Sequence, residues 1–151
     1  MRFEEFSVNN LADVLRLGLQ MHEEGAYSSV EFDVEMTAHC ILQMVVNNPD
    51  GFGLIAYDHE ENPVAMLAGG CSNYFFSRKK KTYDHVWFVV PEHRGKKTAV
   101  VLLKKFLAWS KDRGASEVFM GVTTNIAPEK TGRLFEKLGF KHVGGNYRLD
   151  L

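Results

Sequence analysis

Three strand-like segments follow one another between residues 51 and 90 with no helical pattern between them. "GFGLIAY" and "PVAMLAGGCS" are short apolar runs joined by the polar turn "DHEEN", and the basic loop "SRKKK" then leads into "TYDHVWFVV". A doubly wound sheet alternates strands with helices throughout, so this block argues against one. The flanks read as helices and shorter strands. "RFEEF" is a first strand. Asn9 or Asn10 caps a helix to about Gln20, with Leu11, Val14, Leu15 and Leu19 on one side. Asp33 caps a second helix, "VEMTAHCILQMVVN", which stops at "NNPDG". Beyond the block, a helix over 98–112 is closed by Gly114, and "SEVFMGV" alternates as a strand. Pro128 suits the first turn of a last helix, whose Thr131, Leu134, Phe135 and Leu138 recur at helical spacing up to Gly139. "NYRLDL" is a closing strand. The order β-α-α-β-β-β-α-β-α-β-β predicts an α/β (α+β) fold, with a mixed sheet covered by helices.

At 151 residues the chain suits a single domain, 1–151, with its own core. A formal net charge of -1 argues against an electrostatic nucleic-acid binder. The longest apolar runs fall short of a membrane span, and the acidic "MRFEEFSVNN" does not read as a signal peptide. Cys40 and Cys71 form no CxxC or zinc-like cluster, which suggests free thiols in a reducing cytoplasm. His22, His39, His59 and His142 show no metal-ligand spacing, so no metal is expected.

The stretch "VVPEHRGKKTAVVLLKK", residues 89–105, carries the chemistry. Pro91 ends a strand, and a helix starts near Thr98. The first amides of that helix have no partner within it, and its dipole is positive there. Arg94, Lys96 and Lys97 add full charges, making an anion site. A solvated basic turn is the competing reading. The stretch fails the P-loop pattern, because position 90 is Val and "GKKT" has an extra Lys. It fails the dinucleotide pattern as well, because only Gly95 is present.

"VVPEHRGKKTA" resembles the signature of the GNAT superfamily of acyl-CoA-dependent N-acyltransferases, Q/R-x-x-G-x-G/A, with Arg94 first and Ala99 last. "GRLFEKLGF", about 40 residues later, resembles the family's "LYEKLGF". The resemblance implies a mostly antiparallel sheet of about six to seven strands, with strands 4 and 5 parallel and splayed, flanked by about four helices. It implies acetyl-CoA as acyl donor. The pyrophosphate would lie on the amides of Arg94, Gly95, Lys96, Lys97, Thr98 and Ala99. The pantetheine arm would lie between "HVWFVV" and "EVFMGV", along Val89 and Val90. A main-chain N–H near Val89 would polarise the thioester, and one such donor is worth roughly 10²–10³ in rate. Asn125 matches an Asn that bonds the pantetheine, and Phe135 stands where many members have a proton-donating Tyr.

Direct attack by an amine needs a base rather than a nucleophilic side chain. Some members carry histidines at the places of Tyr83 and His85. Simple alternation puts Tyr83, His85, Trp87 and Val89 on one face of the strand and Asp84, Val86, Phe88 and Val90 on the other. His85 is the first choice as base, with Tyr83 as a further catalytic candidate and Asp84 the competitor. Tyr83 or Tyr147 could supply the proton that Phe135 cannot. Two departures from the family pattern are Lys97, where Gly is usual, and Phe135. They keep open an alternative, a catalytically degenerate GNAT-fold binding module. The acceptor side falls at the first two helices and their loop, which contains His22, Glu23, Glu24, Tyr27, Ser28, Ser29, Glu31 and Asp33. Carboxylates there would favour a cationic amine. The resemblance also allows a homodimer built through the last strand.

Overall fold

The computed structural model describes residues 1–151. Five strands form one sheet in chain order: β1 (Arg2–Glu5), β2 (Gly51–Tyr57), β3 (Pro63–Tyr74), β4 (Ser77–Val89) and β5 (Ala115–Phe119). Neighbours are antiparallel except for β4 and β5, which are parallel. Helices α1 (Leu11–Glu24) and α2 (Val34–Ile41) cover one face. Helix α3 (Lys97–Asp112) covers the other, together with Phe135 of α4 (Pro128–Lys137). No helix is long and apolar enough to cross a membrane.

Local chemistry accounts for most element ends. Asn10 precedes α1, but its side chain turns back, accepting from Ser7 N and donating to Glu5 O, and so pins the β1–α1 turn. Asp33 caps α2 by accepting from Met36 N at 2.9 Å. A π turn, Leu42–Val46, carries α2 on into the Asn47–Asn48 break. Asp58 closes the β2–β3 turn by accepting from the amides of Glu60 and Asn62. Gly114 and Gly139 end α3 and α4 at positive φ, +72° and +90°.

The core is one cluster between the helices and the sheet. From α3 it takes Leu102, Leu103 and Phe106, all fully buried. Ser110 and Thr82 are also fully buried, and Thr82 donates to Ser110 at 2.7 Å, tying β4 to α3. From α1 it takes Val14 and Leu17, with Met21 packed alongside. The predicted stripe ending at Leu19 is therefore rotated, and Leu19 is 39% exposed.

Two other expectations are corrected. The basic "SRKKK" segment is the start of β4 and not a loop, because β3 and β4 turn at Phe75–Phe76 and pair from Tyr74↔Ser77 onward. The lysine stems find company there: Lys81 Nζ lies 5.5 Å from the ring centres of both Tyr74 and Phe119. The sheet has five strands, short of the expected six or seven, because "NYRLDL" pairs with nothing. The Gly144–Gly145 pair raises the entropy to be lost, and Tyr147, Leu149 and Leu151 are exposed with no apolar face to bury.

Candidate active site

β4 and β5 pair only from Lys80↔Ala115 to Tyr83↔Phe119, and then diverge. Asp84 marks the fork. Its Oδ1 accepts from Gly121 N at 3.0 Å, a side-chain bond where the ladder would otherwise continue. Burial pushes the Asp84 carboxyl up to about 6, against the opposing effect of that Gly121 bond. Beyond the fork lies a groove of about 490 Å³ between the two strands, walled by Trp87, Val89, Gly121, Ile126 and Leu134.

One bulge decides which side chains face which way. Gly69 pairs with Asp84 and Ala68 with Val86, so His85 has no partner on β3. The extra residue reverses the simple alternation. Tyr83 and His85 face α1 and α2, and so does Val86 one residue later. Thr82 faces α3, Asp84 points into the fork, and Trp87 stacks on Phe135 of α4 with ring centres 5.4 Å apart. Gly69 makes room for the bulge, and Gly70 lies beside it. A Cβ on Gly69 would lie 2.4 Å from Tyr83 O, and one on Gly70 3.3 Å from His85 Nε2.

The His85 imidazole is open to solvent within a concave, largely apolar wall, and partial burial holds its pKa below the usual histidine value. It is thus neutral and able to accept a proton at pH 7. Tyr83 meets it edge-on at 5.4 Å but lines neither the groove nor the cavity beyond. Tyr147 is fully exposed.

His85 lies where the groove meets a second cavity of about 230 Å³, between α1, α2 and the sheet. Met21, Tyr27, His85, Val86 and Thr124 line both. Of the acidic residues in the α1–α2 segment, none lines this cavity. Glu24 binds Arg94 through both oxygens at 2.5 Å, and the guanidinium holds its carboxyl below the usual range. Asp33 caps α2, while Glu23 and Glu31 face solvent.

At the other end of the groove the chain turns into α3. Gly95 takes φ +76°, with open space where a Cβ would go. Lys96 and Lys97 are exposed, and Lys97 begins α3 without positive φ, so a Lys costs nothing there. No side chain caps α3, which leaves its first amides for an external acceptor. Thr98 is buried, and Arg94, Gly95 and Ala99 line the groove. Arg94 Nε donates to Val89 O at 2.9 Å, and Val90 N–H donates to Val64 O across the ladder. Alternation of an antiparallel ladder then directs the Val89 N–H toward the fork.

The profile of the acetyltransferase (GNAT) family matches residues 18–140. The chain belongs to the GNAT family. Solved structures share its fold. Aminoglycoside antibiotic 6'-N-acetyltransferase AAC(6')-IG from Acinetobacter haemolyticus is 16% identical with a TM-score of 0.77, covering 100% of this chain and 98% of that one. Ribosomal-protein-alanine N-acetyltransferase from Brucella melitensis biovar Abortus 2308 is 15% identical with a TM-score of 0.72, covering 100% of both chains. A transcriptional regulator from Bacillus halodurans C-125 is 14% identical with a TM-score of 0.79, covering 99% of both. No curated protein sequence matches.

Within this GNAT fold the sequence-predicted residues separate into groups. Val89, Arg94, Gly95 and Ala99 line the groove, and His85 stands at its junction with the second cavity. Val90 is buried and belongs to the core. Asn125 is an exposed turn residue at φ +59° and does not line the groove, whereas its neighbours Thr124 and Ile126 do. Phe135 is 8% exposed and supports Trp87 from behind. Trp87 itself was missed. Its Nε1 is buried without an acceptor, and it lines the groove. Met21 was missed as well, because nothing in the local pattern shows that the end of α1 reaches across to β4, whereas Tyr27 of the acceptor-side loop lines both groove and cavity.

Proposed function

We propose that this GNAT protein, acting as one domain, transfers an acetyl group from acetyl-CoA directly to a primary amine. The observation that carries the reading is the meeting of groove and second cavity at His85, one end of the groove being the uncapped start of α3. The residues present fit the cofactor. The amides of Gly95 to Ala99 with Lys96 and Lys97 suit a pyrophosphate. Trp87 Nε1 lacks an acceptor that a pantetheine carbonyl would supply. Acetyl-CoA supplies a thioester whose acyl carbon takes the amine nitrogen and whose thiolate departs.

The chain's own groups do the rest. The Val89 N–H, aimed into the fork, stabilises the developing oxyanion. His85, held neutral by its surroundings, takes the amine proton. Tyr83 and the glycine pair behind it fix the imidazole from the back.

A second reading, a GNAT-fold binding module without turnover, has two observations in its favour. The Arg94 guanidinium is committed to Glu24 and Val89 O, and Phe135 brings no proton donor to the groove. Calorimetric titration with acetyl-CoA separates the two. Saturable micromolar binding, with thiol release in an amine screen, supports the transferase. Absence of binding at millimolar acetyl-CoA sinks it. In an active protein, His85→Ala lowers kcat near neutral pH and leaves acetyl-CoA affinity nearly unchanged. An unaltered pH–rate profile in that variant removes His85 from the mechanism.

A further inference from the structure

The second cavity says what kind of amine the site takes. We infer that the acceptor is a monoamine with a compact apolar body, of the arylalkylamine class, and not a polycation; this rests on the acetyltransferase reading above. The cavity is closed by Phe6 after β1, Phe32 of the α1–α2 loop, Ile41 of α2, Met44 of the π turn and Met66 of β3, with no formal charge among them. At about 230 Å³ it holds roughly eight water volumes, or roughly ten non-hydrogen atoms. That is one ring system and a short arm.

Charge points the same way. No Asp or Glu lines the cavity. The loop carboxylates that could greet a cation are committed to Arg94 and to the α2 cap, or face outward. Beside Tyr27, at the mouth, stands a cation rather than a free carboxylate. Arg148 from the C-terminal segment donates to Ala26 O at 3.1 Å and lies 5.5 Å from the Tyr27 ring centre, with Asp150 3.2 Å from its Nε. A second or third ammonium brought into this site would be desolvated without a partner. A single amine faces the opposite situation. Apolar walls favour its neutral, nucleophilic form, and His85 at the junction accepts the proton it sheds. The ring fills the cavity while the amine nitrogen stays at the junction with the groove.

The test compares tryptamine and phenethylamine with spermidine and the aminoglycoside kanamycin, by thiol release at saturating acetyl-CoA. Calorimetry of tryptamine binding to the protein without cofactor runs beside it. The expected result is a kcat/KM for the arylalkylamines at least about tenfold above either polycation. Cys40→Phe and Gly18→Leu fill the cavity from α2 and from α1 respectively. Gly18 has room for a Cβ, its nearest neighbour being the Phe32 ring at 3.7 Å. Each raises the tryptamine KM on the order of tenfold while the acetyl-CoA dissociation constant holds. Equal or better turnover of the polycations overturns this inference and leaves the transferase reading intact. If no amine is turned over, the transferase reading fails, and the binding measurement still decides the cavity. Tryptamine binding that both filling variants abolish upholds its chemistry, and no binding at millimolar tryptamine refutes it.

Discussion

Neighbouring glycines in β3 should respond to the same substitution in opposite ways. A Cβ on Gly69 points to the α3 side, 2.4 Å from Tyr83 O and 2.9 Å from the fully buried Phe106 ring. Neither can step aside without moving β4 or α3. Overpacking of this kind costs about 1–3 kcal/mol, offset by about 0.5–1 kcal/mol gained when Ala replaces Gly in a strand. Gly69→Ala should therefore lose about 1–2 kcal/mol, a melting temperature lower by about 2–8 °C for a chain of this size. A Cβ on Gly70 points to the other face, 3.1 Å from Tyr83 Oη and 3.3 Å from His85 Nε2. These are ends of side chains, which yield by a few tenths of an ångström. Gly70→Ala should melt within about 2 °C of the parent. Its effect falls on activity. A 1 Å misplacement of a reacting group costs about 10², so a third of that predicts a kcat/KM about fivefold lower. Differential scanning calorimetry and a thiol-release assay on the two variants decide the matter. Equal destabilisation by both would refute the facing assigned to the bulge. An unchanged kcat/KM in Gly70→Ala would show that the two rings behind it are not part of the working site.

Two further substitutions probe the ends of the groove. Asp84→Asn keeps the acceptor for Gly121 N–H and removes a charge that the fork disfavours. Because the folded carboxyl is raised from 3.8 to about 6, its stabilising effect is full below the unfolded pKa and is lost as pH rises through about 6. The Asn variant should be the more stable protein at pH 8, by about 1–3 kcal/mol, with the gap closing by about pH 4; urea melts at both pH values that show a constant gap would contradict this. Gly95→Ala meets no steric obstacle, so its whole effect is conformational, about 1–2 kcal/mol for a side chain at φ +76°. It should also weaken acetyl-CoA binding, read by calorimetry, since the amides that follow Gly95 are displaced.

The fold was legible wherever neighbours in sequence decide it. Asp33, Asp58, Gly114 and Gly139 act within a few residues of themselves, and each ends or opens an element as their chemistry implies. The start of α3 after Gly95 was legible too, since a strand ended by Pro91, a glycine and a helix are all local events. The elements that failed were those needing a distant partner. "NYRLDL" looks like a strand, but it pairs with no neighbour and its apolar side chains bury against nothing. "SRKKK" looks like a loop, but β3 and β5 on either side draw it into the sheet.

The site divides along the same line. Residue type and spacing were enough to single out the basic turn and the strand end before it, because charge and backbone breaks are properties of the chain itself, while His85 was reached through the family resemblance. Alternation along β4 could not assign the faces, since His85, unpaired opposite the Ala68–Gly69 step, reverses them beyond it, and pairing register is set by packing against α3 and α1. The loop carboxylates suggested a cationic acceptor, and no local pattern shows that one of them, Glu24, binds Arg94, 70 residues away. Whether a charge faces a ligand, a partner or water depends on what long-range packing brings beside it, and no local pattern carries that information.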